Sequence, residues 1–277
     1  MLLLCAPHAL ALGLALLGTS AQSAPPHAVH AAQTIKAVPM SKKLIAFTFD
    51  DGPNRRYTPK VLQLLAQYHA HATFFVIGQE VQRYPEVIES IKSAGMEIGN
   101  HGMHHRWLHK MTEEAVRDDV AGGADAIVAA GGPKPYLYRL PAALSDDTSR
   151  RVLGGLGYTV VSWSVDTRDW RRSMSADRIV KTVLRGAAPG RIVIMHDGPA
   201  HRANTLAALA QVLPALESRG YHVVSVGDLL RQSDFAAQRS IPPGSQRPVA
   251  NPRRQLKSQR PAPRRGWLQS VLHRRVG

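Results

Sequence analysis

Residues 44–53, with the sequence LIAFTFDDGP, decide how the chain folds. An apolar run bounded by a Gly-Pro turn predicts a buried β-strand. Asp50 and Asp51 stand at its end. Adjacent carboxylates repel each other unless a cation or proton relieves them, and successive strand residues point in different directions. The two acids can therefore divide their roles, one binding a metal and the other facing a reacting water, and a solvated turn is the alternative.

Six further β-rich runs follow this strand, each separated from the next by a helical pattern. Such alternation indicates a parallel β/α architecture, and the roughly 190 residues involved are few for a complete eight-stranded barrel. We predict the α/β class, as a distorted or incomplete (β/α) barrel of about seven parallel strands. The predicted strands are 44–49, 72–77, 96–99, 136–139, 158–163, 191–195 and 222–226, and the predicted helices are 58–68, 84–94, 112–130, 145–156, 175–184 and 205–219.

The folded part lies in the middle of the 277-residue chain. Residues 1–23 are mostly Leu and Ala followed by small residues, which predicts a signal peptide or N-terminal anchor and export to the periplasm or the exterior. Residues 24–41 are predicted to be a linker, and residues 42–232 the folded domain. The single cysteine, Cys5, lies in the first segment, so a cleaved protein would hold a metal with His, Asp or Glu.

The net charge of +15 is spread unevenly. From Arg231 onward, eleven Lys or Arg stand against one acid, Asp234, which gives this end +10. Residues 233–277 are rich in Pro, Arg, Gln and Ser and are predicted to be a disordered basic tail. The tail suits an anionic envelope surface, and a solvated tail without a partner is the alternative. Export argues against nucleic acid as a partner, and we expect a monomer.

Polar residues repeatedly follow the predicted strands. In barrels and open α/β sheets, catalytic groups collect at the carboxyl ends of the strands. Five separate segments place such groups there, which is harder to obtain by chance than any single motif. They are Asp50 and Asp51; Asn100, His101 and His105; Arg139 and Pro141; Asp166, Asp169 and Trp170; and His196 and Asp197.

His101 and His105 have the i, i+4 spacing that places two imidazoles on one side of a helical turn. With Asp51 they would form a three-point metal site that leaves positions open for water and substrate. This donor set suits Zn²⁺, with Co, Ni or Fe as alternatives. His104 is a further candidate ligand, and a histidine-rich surface loop is the interpretation without a metal.

Five motifs between residues 43 and 230 resemble those of the polysaccharide deacetylases of the NodB-homology type, carbohydrate esterase family 4. Their order and spacing are also those of the family, so the chain is identified as a member. The motifs are TFDDGP at 48–53, HGMHH at 101–105 for H(S/T)xxH, RLP at 139–141 for RxP, DTRDW at 166–170 for DxxDW, and VIMH at 193–196 for LxxH.

The resemblance implies a catalytic centre around the metal ligands already singled out. Asp50 would be the general base, oriented by Arg139. His196 would be the general acid that protonates the leaving amine, and Asp169 would tune it. The bound ion would polarise the acetyl carbonyl and activate a water.

The resemblance also implies a substrate-binding set: Pro141, Ala142, Trp170 and Val193. A backbone N–H near Ala142 would stabilise the oxyanion, Trp170 would form a wall of the sugar site, and Val193 would contact the acetyl methyl group. Three positions depart from the family: Gly102 replaces Ser or Thr, Ala142 replaces an aromatic residue, and Val193 replaces Leu. None removes a ligand, base or acid, so we expect activity with altered or relaxed substrate binding.

We therefore predict a metal-dependent hydrolase that removes acetyl groups from N-acetylated glycans containing GlcNAc, such as peptidoglycan or chitin-like oligomers. Two alternatives are an O-deacetylase on acetylated polysaccharide such as xylan, and a non-catalytic glycan-binding relative. The motifs do not separate the first two, because both reactions pass through a similar oxyanion. The intact Asp50 and His196 argue against the third.

Overall fold

The computed structural model describes residues 31–233, which form a curled β-sheet with helices packed around it. Every pairing between its strands is parallel, as the alternating pattern predicts. The nine strands in this range are β1 (Thr34–Ile35), β2 (Leu44–Asp50), β3 (Ala72–Val76), β4 (Glu97–Asn100), β5 (Leu137–Tyr138), β6 (Thr159–Val161), β7 (Val165–Asp166), β8 (Ile192–His196) and β9 (His222–Val224).

Strand β2 is buried along its whole length and organises the sheet. The strand order is β1-β6-β5-β4-β3-β2-β8-β7, and β9 pairs with the first three residues of β2. Strands β6 and β7 are two parts of one extended segment, separated by residues 162–164. A short stretch of chain therefore joins β7, at one end of the strand order, to β6, the neighbour of β1 at the other end, which is why the sheet curls into a barrel-like shape.

Eight α-helices lie in the described range, seven between strands and α8 after the last strand. They form where the apolar residues recur with helical spacing, as in α6, which buries Ile179 and Val183 four residues apart. Helix α4 begins at Thr112, whose side chain accepts a hydrogen bond from Ala115 N, and two glutamates in its first turn suit the helix dipole. The helices are α1 (Thr58–Gln67), α2 (Gly78–Arg83), α3 (Pro85–Ser93), α4 (Glu113–Ala129), α5 (Asp147–Gly155), α6 (Ala176–Gly186), α7 (Ala203–Ser218) and α8 (Val226–Arg231).

The two faces of β2 have different surroundings. Phe47 and Phe49 belong to the main apolar core, where Phe49 stacks on Phe74 at 5.1 Å between ring centroids. Because strand side chains alternate, Thr48 and Asp50 point to the opposite face. There they meet polar partners rather than the main core. The strand period thus separates the apolar layer under the helices from the barrel interior. A second apolar cluster, which includes Leu44, Ala46 and Phe75, lies in that interior, and the polar groups of the candidate site stand at its carboxyl end.

The structure differs from the predicted linker over residues 24–41. Residues 34–35 form β1, and Ser162 N donates to Ile35 O at 2.8 Å. Ala32 and Val38 are buried. The folded domain therefore begins before residue 42, because two residues of strand suffice to pair with β6 and give too short a signal to read in the sequence.

Strand β7 and helices α2 and α8 are also additions to the predicted elements. No helix in the part of the chain that the structure describes is both long enough and apolar enough to cross a membrane. The predicted signal peptide or anchor at residues 1–23, and the predicted tail from residue 234 onward, lie outside the described residues.

Candidate active site and metal centre

Asp50, at the end of β2, is paired with Arg139, which directly follows β5. Arg139 Nη1 donates to Asp50 Oδ1 at 2.7 Å and to Thr48 Oγ1 at 2.6 Å. Arg139 Nε and Nη2 donate to the carbonyl oxygens of Val161 and Ser162 at 3.2 and 3.1 Å. Both charged side chains are buried, and loss of either would leave an unpaired charge away from water. The structure thus brings the predicted base and its predicted orienting residue together.

The guanidinium group of Arg139 is further held by stacking. Its central carbon lies 4.1 Å from the ring centroid of Phe75. Burial lowers the pKa of Arg139, and the charge and hydrogen bond of Asp50 oppose that shift. A guanidinium keeps its charge even when buried, so the pair with Asp50 stays ionic.

Donor atoms from Asp51, His101 and His105 converge beside this pair, all within 4.8 Å of one another. The Nε2 atoms of His105 and His101 lie 3.4 and 3.6 Å from Asp51 Oδ1. Asp51 Oδ1 is buried and accepts no hydrogen bond from the residues that the structure describes. A buried carboxylate oxygen without a donor is costly unless a cation lies beside it. One carboxylate and two imidazoles therefore fit the predicted divalent ion.

His101 is fixed from behind, because its Nδ1 lies 2.8 Å from the carbonyl oxygen of Arg139 and its Nε2 is left for Asp51. Burial lowers the pKa of His101 despite the charges of Asp50 and Asp51, which favours the neutral form that binds metals. The second carboxylate oxygen of Asp51 lies 3.8 Å from Nη2 of the buried Arg202. No motif indicated Arg202, which adds a positive charge behind the metal ligands.

The metal-ligand loop, residues 101–105, is held on α4 by Asp119. The Asp119 carboxylate accepts from the N–H groups of Met103 and His104 at 3.2 and 3.3 Å. It also lies 3.2 Å from His104 Nδ1, so His104 contacts α4 and is not part of the metal cluster. Gly102 has a φ of 81°, and a Cβ there would lie 2.4 Å from Asp119 Oδ2. The carboxylate of Asp119 therefore fills the space that a side chain at position 102 would need.

His196, at the end of β8, is held by Asp169. His196 Nδ1 lies 2.7 Å from Asp169 Oδ1, and His196 N donates to Asp169 Oδ2 at 2.9 Å. Thr205 Oγ1 also donates to Oδ2, at 2.7 Å, and Thr167 Oγ1 lies 3.2 Å from Oδ1. Because the carboxylate binds Nδ1, Nε2 is the ring nitrogen of His196 that can exchange a proton with a ligand.

The pair of His196 and Asp169 shifts both pKa values toward the charged forms. Burial by itself lowers the pKa of His196, but the hydrogen bond and charge of Asp169, with the charges of Asp50 and Asp51, raise it overall. Burial likewise raises the pKa of Asp169, and the hydrogen bonds from His196 and Thr205 more than reverse this. The protonated imidazole is thereby stabilised, which is the form that an acid catalyst needs.

The turn after β2 packs directly on the turn after β8. A Cβ on Gly52 would lie 2.6 Å from Asp197 Oδ1, and one on Gly198 would lie 2.3 Å from Asp51 Cβ. Only glycine therefore permits this approach at either position. Burial raises the pKa of Asp197 to about 7, while the hydrogen bond from Thr58 opposes the shift and the charge of Asp51 adds to it. In the sequence, Asp197 stands out only as one of the polar residues that follow a predicted strand.

Three of the predicted substrate-binding residues lie at the carboxyl end of the sheet. Pro141 and Ala142 belong to a short 3-10 turn (Pro141–Ala143) that follows Arg139. Ala142 is exposed and has a φ of 54°. Trp170 is 53% exposed. Ala142 and Trp170 are therefore open to solvent at this end, whereas Pro141 is buried.

Val193 is not part of the site. It is fully buried in the main core, beside its register partner Phe47. Because strand side chains alternate, Val193 points to the opposite face from His196, three residues further on. The predicted contact between Val193 and the acetyl methyl group is therefore corrected. Ile192 and Ile194 are the residues of β8 that share a face with His196.

Comparison with known proteins assigns the chain to a family. Residues 37–161 match the family model described as polysaccharide deacetylase. This match and the relatives that share most of their length with the chain show that it belongs to the polysaccharide deacetylase family. The predicted family, fold and enzyme class are thereby confirmed.

The chain is 42% identical over 196 residues to a peptidoglycan-N-acetylglucosamine deacetylase of Bacillus cereus (strain ATCC 14579), which covers 70% of this chain and 91% of that protein. It is 38% identical over 191 residues to a chitooligosaccharide deacetylase of Bradyrhizobium sp. (strain ANU 289), covering 65% and 87%. Among solved structures, the Bc1960 peptidoglycan N-acetylglucosamine deacetylase, in complex with 4-naphthalen-1-yl-N-oxidanyl-benzamide, matches with a TM-score of 0.69 and 30% identity, covering 72% of this chain and 94% of that one.

Proposed function

We propose that the protein is a metal-dependent deacetylase that removes the acetyl group from N-acetylglucosamine units of a glycan. The observation that carries this proposal is the placement of Asp50 and His196. They are register partners on neighbouring strands, next to the cluster of Asp51, His101 and His105. A carboxylate and an imidazole, each held by its own buried partner, thus flank a site that suits a divalent ion.

Asp51, His101 and His105 would hold the ion, for which Zn²⁺ is the best match, with Co, Ni or Fe as alternatives. When bound, the ion would supply a Lewis acid that polarises the acetyl carbonyl and lowers the pKa of a water. The chain prepares this site in advance, because His101 is oriented from behind and Asp51 directs an unpartnered oxygen toward both imidazoles.

Asp50 would act as the general base. Arg139 occupies its Oδ1, so Oδ2, which lies 3.9 Å from His101 Nε2, is the oxygen left to take a proton from the attacking water. Arg139 also counters the negative charge of Asp50, so two acids can stand side by side at the end of β2.

His196 would act as the general acid. When the C–N bond breaks, the leaving nitrogen needs a proton, and the imidazolium of His196 would donate it. Asp169 stabilises that imidazolium through a hydrogen bond of 2.7 Å. An amine leaves less easily than an alcohol, so this acid would serve N-deacetylation, and the relatives named as N-acetylglucosamine deacetylases support that reaction.

Exposed apolar side chains surround this end of the barrel. Within residues 31–233 five large apolar side chains are exposed, and three of them, Trp107, Leu144 and Trp170, lie in the loops after β4, β5 and β7. Flat aromatic faces with a polar edge suit the mixed apolar and polar surface of sugar rings. We infer that a glycan lies along these loops, with the N–H of Ala142 as the proposed oxyanion donor beside Pro141.

The names of the relatives support peptidoglycan or chitin-like oligomers as the substrate class. The apolar N-terminus would direct the enzyme to the periplasm or the exterior. There the basic tail would hold it against an anionic envelope surface, and it would act as a monomer.

Acetate release tests the proposal. We expect zinc-loaded protein to release acetate from N-acetylated glycan oligomers and a chelator to abolish the release. His101→Ala should abolish metal binding, measured by elemental analysis, whereas His104→Ala should retain it as the matched control. Acetate released mainly from acetylated xylan would establish the O-deacetylase instead. Glycan binding without acetate release from any substrate would establish a non-catalytic relative.

A further inference from the structure

A cavity of about 270 Å³ lies beside the candidate active site. It opens at the carboxyl ends of β1, β5 and β6, which is the end of the sheet that also carries the metal cluster. Pockets for drug-sized ligands have volumes of roughly 300–1,000 Å³, so this cavity suits one sugar ring rather than a longer segment of glycan.

The side chain of Arg139 links the proposed base to the lining of the cavity. Arg139 donates to Asp50, and it also donates to the carbonyl oxygens of Val161 and Ser162, two residues that line the cavity. Leu140 and Ala143, which bracket the proposed oxyanion turn, line it as well. A glycan whose reacting sugar lies above Asp50 would therefore have a neighbouring sugar at the mouth of this cavity.

The lining has the chemistry of a sugar subsite with one positive charge. Thr34, Ser145 and Ser162 supply hydroxyl groups that donate and accept hydrogen bonds, and Trp163 supplies an aromatic surface. Lys36 is the single charged residue of the lining. Because no acid lines the cavity, the ammonium group of Lys36 is available to a carboxylate on the ligand.

We propose that this cavity is a subsite for the sugar next to the reacting N-acetylglucosamine, and that Lys36 selects a sugar that bears a carboxylate. The proposal rests on the proposed deacetylase function and assigns it a preference for peptidoglycan glycan strands without stem peptides, whose alternate sugars carry a free lactyl carboxylate. Thr34 and Lys36 precede residue 37, where the match to the family model begins, so this wall of the cavity is a feature outside that match.

Steady-state kinetics on two substrates test the proposal. The substrates are a neutral N-acetylglucosamine tetramer and a peptidoglycan glycan fragment that carries lactyl carboxylates, both with zinc-loaded full-length enzyme. We expect Lys36→Ala to raise KM for the acidic fragment about tenfold, with kcat and the kinetics on the tetramer unchanged. Lys36→Glu should raise that KM further. Lys42→Ala is the matched control, because Lys42 is exposed and precedes β2 at the opposite end of the barrel.

An unchanged KM of Lys36→Ala on the acidic fragment would overturn the proposal while leaving the deacetylase function intact. An equal rise in KM on both substrates would also overturn it, because the cavity would then bind a neutral sugar. If wild-type enzyme releases no acetate from either glycan, the proposed function fails. Binding of the acidic fragment, followed by tryptophan fluorescence in wild type and Lys36→Ala, then decides the subsite by itself, and equal affinities would overturn it.

Discussion

Two regions of the candidate site differ in how firmly their side chains are held. The floor consists of Asp50, Arg139, Asp169 and His196, and the rim consists of Trp107, Leu144 and Trp170. Every floor side chain is buried and makes charged hydrogen bonds to another floor residue. The rim side chains are 40–58% exposed. Charged groups in a dry, pre-arranged setting suit the chemical step, whereas exposed apolar faces suit the binding of variable glycans.

This difference explains why the departures from the family pattern are tolerable. Ala142 lies in a loop above the floor, so its departure from the family pattern leaves the pair of Asp50 and Arg139 and the pair of Asp169 and His196 unchanged. Gly102 lies in the metal-ligand loop, but there Asp119 supplies hydrogen bonds to the loop. Substitutions in the floor should therefore reduce the rate of the chemical step, and substitutions in the rim should change substrate affinity.

Asp50→Asn should have the largest effect. The amide has the size of the carboxylate but takes up no proton, so we expect kcat for acetate release to fall about 10²- to 10⁴-fold. Asp147→Asn, at an exposed acid in α5, is the control and should keep full activity. Activity of Asp50→Asn within tenfold of wild type would show that the floor does not contain the base.

Asp169→Asn should produce the next largest effect and move the pH profile. Asp169 raises the pKa of His196, and the acid form of His196 exists only below that pKa. Loss of the carboxylate should therefore shift the alkaline limb of kcat to lower pH. The measurement is acetate release from pH 5 to 10, with Asp166→Asn as the control at a half-buried acid in the same motif. If the alkaline limb of Asp169→Asn stays at the wild-type pH, that limb does not report the titration of His196.

Asp119→Ala should have an intermediate effect, because Asp119 is part of neither floor nor rim and acts through the metal-ligand loop. Groups behind metal ligands typically change metal affinity 10- to 100-fold, and we expect a loss of that size for zinc, measured by competition with a chelator. Asp118→Ala, at the exposed neighbour on α4, should bind zinc as wild type does. Wild-type zinc affinity in Asp119→Ala would show that the loop holds its shape without this carboxylate.

Trp170→Ala should have the smallest effect on the chemical step and act mainly on binding. We expect a rise in KM of a few-fold to about tenfold on oligomeric substrate, the range of 0.5–1.5 kcal/mol found for aromatic contacts, with kcat nearly unchanged. Val128→Ala, an exposed apolar residue in α4, is the matched control. If kcat of Trp170→Ala falls as far as that of Asp169→Asn, the rim contributes to the chemical step as the floor does, and the comparison fails.

The floor and most strands could be predicted from the sequence, because buried parallel strands leave short apolar runs and the motif residues directly follow them. The role of Asp119 could not be predicted from the sequence, because Asp119 and Met103 are 16 residues apart and meet only when α4 packs on the loop. The available signal was the spacing of Asp119 from Val116 and Val120, which places the acid on the apolar face of α4. The misplacement of Val193 was avoidable, because residues an odd number apart in a strand point to opposite faces.

The sequence by itself determined which residues carry the proposed chemistry: Asp50, Asp51, His101, His105, Arg139, Asp169 and His196 occupy short motifs at strand ends, and parallel strands bring such ends together. Only the tertiary structure decided what supports and surrounds that chemistry. Three features depend on contacts between segments that are distant in the sequence. They are the hydrogen bonds between Asp119 and the metal-ligand loop, the buried charge of Arg202, and the cavity wall at Thr34 and Lys36. Local patterns carry no record of such contacts, because they form only when the sheet curls and the helices dock.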